Sequence, residues 1–200
     1  MDFTTANASA IKSIRQRDLL NAWMRLFAQT RKLPRLEHYR PDRFQEELPD
    51  IFVCGVQYRD GHPRIVIAAD SMRMHPAFGP SGIGQTLDDY MGPKMAPVVV
   101  PLYLECIRLQ RPVYTISKLA DRDGRPVEYE RLLMPFSDCN RVTSVVASLK
   151  AISEHGQFEV TDLMRNDKSP PVFALKAVID SGTAPDKPNR FAPAIELEFD

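Results

Sequence analysis

Cysteine is scarce in this chain and scattered where it occurs. Cys54, Cys106 and Cys139 are the three, with no CxxC pair among them. That excludes a disulfide framework and a zinc ribbon, and it suits a reducing compartment. Histidine is almost as sparse. None of His38, His62, His75 and His155 stands at helical i,i+3 or i,i+4 spacing from another histidine or a cysteine, so no metal site is expected. No apolar run approaches the ~20 residues that span a bilayer. The opening MDFTTANASA has no charged start followed by an apolar stretch, and so does not read as a secretory signal. The expected location is the cytoplasm, away from membranes. Glycine is also thin, at 9 residues against 17 prolines. The densest glycine stretch, Gly79-Pro80-Ser81-Gly82-Ile83-Gly84, runs into Gln85-Thr86 rather than the Lys-Ser/Thr pair of a phosphate loop, and Ser81 lacks the GxSxG frame of a nucleophile elbow. Its glycines are expected to supply left-handed loop conformations instead. Of the paired carboxylates, Glu128 and Glu130 should share one face of a strand beside solvent, and Asp88-Asp89 has no partner set. No nucleophile, base and orienting group can be named together. No catalytic residue is assigned, and the chain is not expected to be an enzyme.

What is present is ordinary for a globular chain: 44% hydrophobic and 26% charged residues, with zero net charge. At this length a chain buries roughly 70% of its unfolded surface and needs no staple. Residues 9–30 form the strongest helical pattern, with Ser9 or Thr5 as cap and a stripe of Ile11, Ile14, Leu19, Leu20, Trp23, Met24 and Phe27. A stripe that apolar must be buried, on its own domain or on a second subunit. Ile14, Leu20, Trp23, Met24 and Phe27 are the candidate dimer or partner-helix residues. Charge is uneven: residues 12–43 hold nine Lys/Arg against Asp18, Glu37 and Asp42. A nucleic-acid- or nucleotide-linked regulator using that segment is the alternative function, although no helix-turn-helix, aromatic RNA-binding motif or zinc finger accompanies it.

Further on, Ile51–Tyr58 and Pro63–Ala69 alternate as strands around an Arg-Asp-Gly turn, and Ala96–Gln110 reads as a helix whose prolines fall near its start. Val113–Ala120 follows as a strand. Pro126–Ser153 reads as a hairpin turning at Ser137–Asn140, with Leu132, Met134 and Phe136 meeting Val145, Ala147 and Leu149 on one face. Residues 154–200 hold nine Asp/Glu and five Lys/Arg. Two apolar islands there, Val172–Ile179 and Ala194–Phe199, leave a disordered tail and a packed segment equally open. The divisions are residues 1–32, an N-terminal helix; 33–153, the main domain; and 154–200, an acidic, proline-containing extension.

The phrase Tyr129-Glu130-Arg131-Leu132-Leu133-Met134-Pro135-Phe136-Ser137 resembles the "YERLLLPLS" signature of a bacterial family of small PAS-like domains, known mainly from alphaproteobacteria. Trp23, Leu33-Pro34-Arg35, Pro41 and Leu48-Pro49-Asp50-Ile51-Phe52 stand in the family's order. Arg64-Ile65-Val66-Ile67-Ala68-Ala69 keeps the arginine of a second-strand motif and loses its glycine, and Gly84–Asp89 resembles a later step. The likeness spans about Leu20 to Ser153. It implies an α+β fold: a PAS-like five-stranded antiparallel sheet with helices on one face, plus the N-terminal helix and the C-terminal extension. It also implies a stand-alone sensory or adaptor domain in bacterial signalling, acting by protein contacts, with a homodimer through the N-terminal helix as corollary. A ligand would sit between sheet and helices. Tyr103, Cys106 and Met134 are the lining candidates there, and Arg64 and Arg131 the polar ones. Each arginine is expected to point outward; one pointing inward would favour an anion. The cofactor is unknown. Haem is disfavoured because His75, the nearest axial candidate, sits in a His-Pro loop, and flavin photochemistry because an Asn-Cys-Arg-Phe run is absent. The signalling partner and the small-molecule ligand are unidentified.

Overall fold

The long hairpin is the spine of the sheet. Strand β5 (Pro126–Phe136) pairs antiparallel with β6 (Ser144–Ser153) over their whole lengths, from Val127 opposite Ser153 to Phe136 opposite Ser144. The connection closes through Thr143 N–H donating to the Phe136 carbonyl at 2.9 Å and Ser137 Oγ–H donating to the Arg141 carbonyl at 2.6 Å. The computed structural model describes residues 2–138, 141–153, 161, 163 and 171–180. Cys139, Asn140, His155 and the island Ala194–Phe199 lie outside that set.

Register corrects the expected pairing of the hairpin. Leu132 faces Ser148 and Met134 faces Val146, whereas Val145, Ala147 and Leu149 sit opposite Pro135, Leu133 and Arg131. Because side chains alternate with period two, Leu132, Met134 and Phe136 lie on one face of the sheet, and Val145, Ala147 and Leu149 on the other. Two cores result, one on each side.

The expected strands are all present. They are β2 (Ile51–Arg59), β3 (His62–Ala69), β4 (Val113–Ala120), β5 and β6, in the contiguous antiparallel order β3-β2-β6-β5-β4. Among the described residues the sheet nevertheless has seven strands. β7 (Val172–Ile179) adds antiparallel to β4, and β1 (Thr4–Ala6) adds to β7 in parallel. The expectation of five strands, all antiparallel, therefore falls short by one antiparallel and one parallel strand. Val172–Ile179 joins the sheet because its apolar alternation completes the open side of β4.

Helices cover both faces rather than one. The first, α1 (Ile14–Thr30), starts later than expected. Ser13 caps it by accepting from Gln16 N–H, and Arg31 ends it in the left-handed region at φ 54°. Leu19, Leu20, Trp23 and Phe27 bury against Tyr114, Ile116, Leu132, Met134, Phe136 and Val146. The Trp23 indole N–H donates to the Pro135 carbonyl at 2.8 Å. Proline is rare inside central strands, but β4 begins opposite Leu133, so Pro135 lies past its end and its carbonyl is free for Trp23. The short α2 (Phe44–Glu47) seats on the same face. The other face carries α3 (His75–Phe78) and the long α4 (Leu87–Leu109), which Thr86 caps by accepting from Asp89 N–H. α4 begins well before Ala96 because Gly92, at φ 70° and ψ 175°, breaks it and lets Pro93 open a fresh helical run.

The loop before α4 packs against the first turn of that helix, ahead of the break. Gly79 and Gly84 hold positive φ, as the glycine reading expected. A β-carbon on Gly82 would stand 2.5 Å from the Tyr90 ring and 2.8 Å from Ile67 Cδ1. Gly82→Ala is therefore expected to destabilise by about 1–3 kcal/mol through overpacking, read as a lower urea midpoint at unchanged m-value. An unchanged midpoint would mean this loop can retreat from Tyr90.

Candidate functional site

Between the sheet and α4, three neighbouring strands and the helix bring a set of polar groups into an apolar core. Parity fixes the β5 contribution: Val127, Tyr129, Arg131 and Leu133 face α4, while Glu128, Glu130, Leu132 and Met134 face α1. Arg131 is only 2% exposed. Its guanidinium lies 5.2 Å from the centre of the Tyr129 ring, and it borders a cavity of about 10 Å³ with Phe52, Met91, Tyr103 and Leu149. That volume admits one water-sized group. Thr115 of β4 sits directly across the ladder from Arg131 and is fully buried. Among the described residues, Arg131 Nε and Thr115 Oγ1 have no hydrogen-bond partner, and no carboxylate pairs with Arg131.

Among the described residues, no carboxylate is paired with Arg131 on this face. Burial pushes the Tyr103 hydroxyl well above its ordinary range and raises the thiols of Cys54 and Cys106. Burial also raises Tyr129, to about 12, although Arg131 pulls the other way. All four are neutral near pH 7. The compartment holds a guanidinium, an unsatisfied hydroxyl and neutral phenols and thiols in a low-dielectric setting that disfavours an isolated charge.

The candidate residues divide accordingly. Tyr103 and Arg131 meet at the cavity, and Cys106 lies in the same core. Met134 does not join them: it is on the far face, where its sulfur receives the Tyr39 hydroxyl at 3.7 Å. Arg64 is exposed on β3, as expected of it, whereas the outward reading of Arg131 is overturned by its burial. Thr115, Phe52, Met91 and Leu149 were not foreseen. Thr115 and Leu149 were within reach of a register argument, being the direct partners of Arg131 on β4 and β6.

On the α1 face, Glu128 bonds Lys12 at 2.6 Å, but Glu130 is fully buried and accepts from the Tyr114 hydroxyl at 2.9 Å, not beside solvent as expected. The segment Ile11–Lys12 covers that end of the sheet. Of the partner-helix candidates, Leu20 and Trp23 are completely buried within the chain, Phe27 is 8% exposed and Met24 half-buried; Ile14 stands 68% exposed. The basic segment is partly neutralised internally, through Lys12–Glu128, Arg15–Glu47 and Arg35–Glu37 pairs. His75 pairs with Asp70 at 3.1 Å, and no group of three metal-ligating side chains occurs among the described residues. No helix among them is long and apolar enough to cross a membrane.

No family model matches the chain, and no curated protein does. Among solved structures, one from work on a flavin analogue and the mechanism of a light-oxygen-voltage domain is similar at 14% identity, with a TM-score of 0.40. The match covers 56% of this chain and 83% of that one. A likeness of that size assigns no ligand and no chemistry.

Proposed function

We propose that this chain is a sensory or adaptor domain of the small PAS-like type, non-catalytic, which takes a small ligand between sheet and α4 and passes its state on by protein contact. The observation that carries the proposal is the buried Arg131, without a carboxylate partner among the described residues and bordering a cavity. A guanidinium in that position has use for a visitor and little use as packing. The resemblance of Tyr129–Ser137 and of the Trp23, Leu33-Pro34-Arg35 and Leu48-Pro49 steps to alphaproteobacterial domains of that class supports it. So do the five contiguous antiparallel strands that the resemblance implied. Access is available beside the helix break: Met91, half-exposed and lining the cavity, precedes Gly92. An unbranched thioether can move aside at little cost.

Homodimerisation and cytoplasmic residence belong to the same proposal. A dimer cannot use Leu20 and Trp23 without unpacking the sheet, so its contact would fall on other surfaces. Native mass spectrometry beside the denatured mass tests the whole: a small adduct present only in the native spectrum is the expected result, with the subunit count read from the same data. A bare mass at every concentration of extract-derived small molecules offered would remove the ligand from the proposal.

A further inference from the structure

We propose that residues 195–200 of this chain, Ile-Glu-Leu-Glu-Phe-Asp, dock in cis into the basic groove between the ends of α1 and α4. The inference does not use the Arg131 compartment and stands apart from the sensory reading. The groove measures about 550 Å³, and Arg31, Lys32, Arg35 and Arg111 line it beside Phe27, Leu33 and Leu109. The three apolar residues are buried or half-buried, whereas Arg31, Lys32 and Arg35 are exposed. The result is an apolar floor with a basic rim. Arg35 pairs with the exposed Glu37 at 3.0 Å, and the Arg111 guanidinium lies 4.8 Å from the centre of the Phe27 ring. Among the described residues, no carboxylate lies within ion-pair distance of Arg31, Lys32 or Arg111. One cation at each helix end would complement the partial negative charge there. Four cations around two ends exceed that need.

Position, reach and pattern together choose the occupant. Strand β7 delivers the chain to the groove: Ile179 N–H donates to the Pro112 carbonyl at 2.8 Å, which brings Asp180 beside Arg111-Pro112. Ile195 follows fifteen residues later, a length that spans up to about 50 Å when extended, so reach does not limit the return. Ile195, Leu197 and Phe199 alternate with Glu196, Glu198 and Asp200. In an extended segment the two sets face opposite sides, one suited to the floor and the other to the rim. A tether of this length gives an effective concentration of roughly millimolar order, so a weak contact suffices for occupancy. A partner using the same groove must first displace the segment.

The test is titration of a fluorescent peptide copying residues 192–200 into three full-length proteins. These are wild type, Glu196→Lys/Glu198→Lys, whose segment is repelled, and Arg31→Glu/Lys32→Glu, whose rim is reversed. The first variant should bind the peptide about tenfold more tightly than wild type, where the tethered copy competes. That binding should weaken several-fold between about 0.05 and 0.5 M salt, and the rim-reversed protein should not bind. Equal affinity of wild type and Glu196→Lys/Glu198→Lys overturns the inference, as does an absence of binding by both. Should either variant fail to fold, carbodiimide coupling of dilute wild type decides. An amide joining Lys32 to Glu196 or Glu198 must then appear within the monomer mass. Its absence, or its appearance only in a dimer mass, overturns docking in cis, and the dimer result would make the occupant the segment of a second copy.

Discussion

Lys150→Met is expected to lower the stability of the chain by about 3–5 kcal/mol at neutral pH. Lys150 projects from β6 onto the α1 face, where its ammonium lies 2.7 Å from Glu47 Oε2 and also contacts Asp50 Oδ2. Both carboxylates have side chains only 3% exposed, and they anchor α2 and the Leu48–Asp50 turn to the sheet. Arg15 and Arg73 reach the same two acids from outside, at 2.9 Å each, but both arginines are about half exposed. Removing the central cation leaves two buried carboxylates facing each other with only solvent-screened partners.

The pH dependence separates this cause from lost packing. Burial, the largest influence on Glu47, raises its pKa, yet Lys150 and Arg15 together hold it below its ordinary value of 4.5. A depressed carboxylate contributes stability that is present above about pH 4.5 and lost as pH falls through the folded value. Without Lys150 the burial effect gains the upper hand and this acid-side loss shrinks. The gap between wild type and Lys150→Met in urea midpoint should therefore be widest at pH 7 and narrow toward pH 4. A gap that stays constant over that range would assign the loss to packing alone.

Trp23→Ala should be as damaging, by about 3–5 kcal/mol. The indole is completely buried, stacks on Phe27 at 5.2 Å between ring centres, and holds the Pro135 carbonyl. Trp23→Phe keeps much of the apolar volume and loses the hydrogen bond, so it should fall about 1–2 kcal/mol below wild type. The ordering matters for function. If Trp23→Ala left the urea midpoint unchanged and altered subunit number instead, α1 would be a partner helix after all, and its packing on the sheet would be misassigned.

Much of the fold is legible in the sequence itself. Period-two alternation located β2 to β6, and the stripe from Leu19 to Phe27 located α1, because each pattern reports directly on which side chains leave water. The two added strands were harder to see. β1 is three residues long, too short for any alternation to register, and its parallel pairing with β7 joins opposite ends of the chain. The helix on the second face escaped for a different reason: an apolar stripe says that a surface is covered, not by what. The start of α4 was set too late, at Ala96, because Pro97 and Pro101 suit the first turn of a helix; the break that admits a proline is at Gly92–Pro93, inside a helix that begins at Leu87.

The site was half legible. Tyr103, Cys106 and Arg131 lie in one core as grouped, but Met134 could not have joined Arg131: three positions apart on a regular strand, the two must face opposite ways. The hairpin pairing failed on the same point, since Leu132 meets Ser148 rather than Ala147. The burial of Arg131 itself was unreadable locally. Its neighbours Tyr129 and Leu133 suit either face of a sheet, and only the arrival of α4, with Tyr103 and Met91, closes the compartment over it.

The most direct test of the compartment is native mass spectrometry of wild type and Arg131→Met side by side. The account predicts a small adduct that wild type retains in the native spectrum and Arg131→Met does not, because Arg131 is the buried polar group that borders the cavity. A bare mass for wild type, or the same adduct on both proteins, would contradict it.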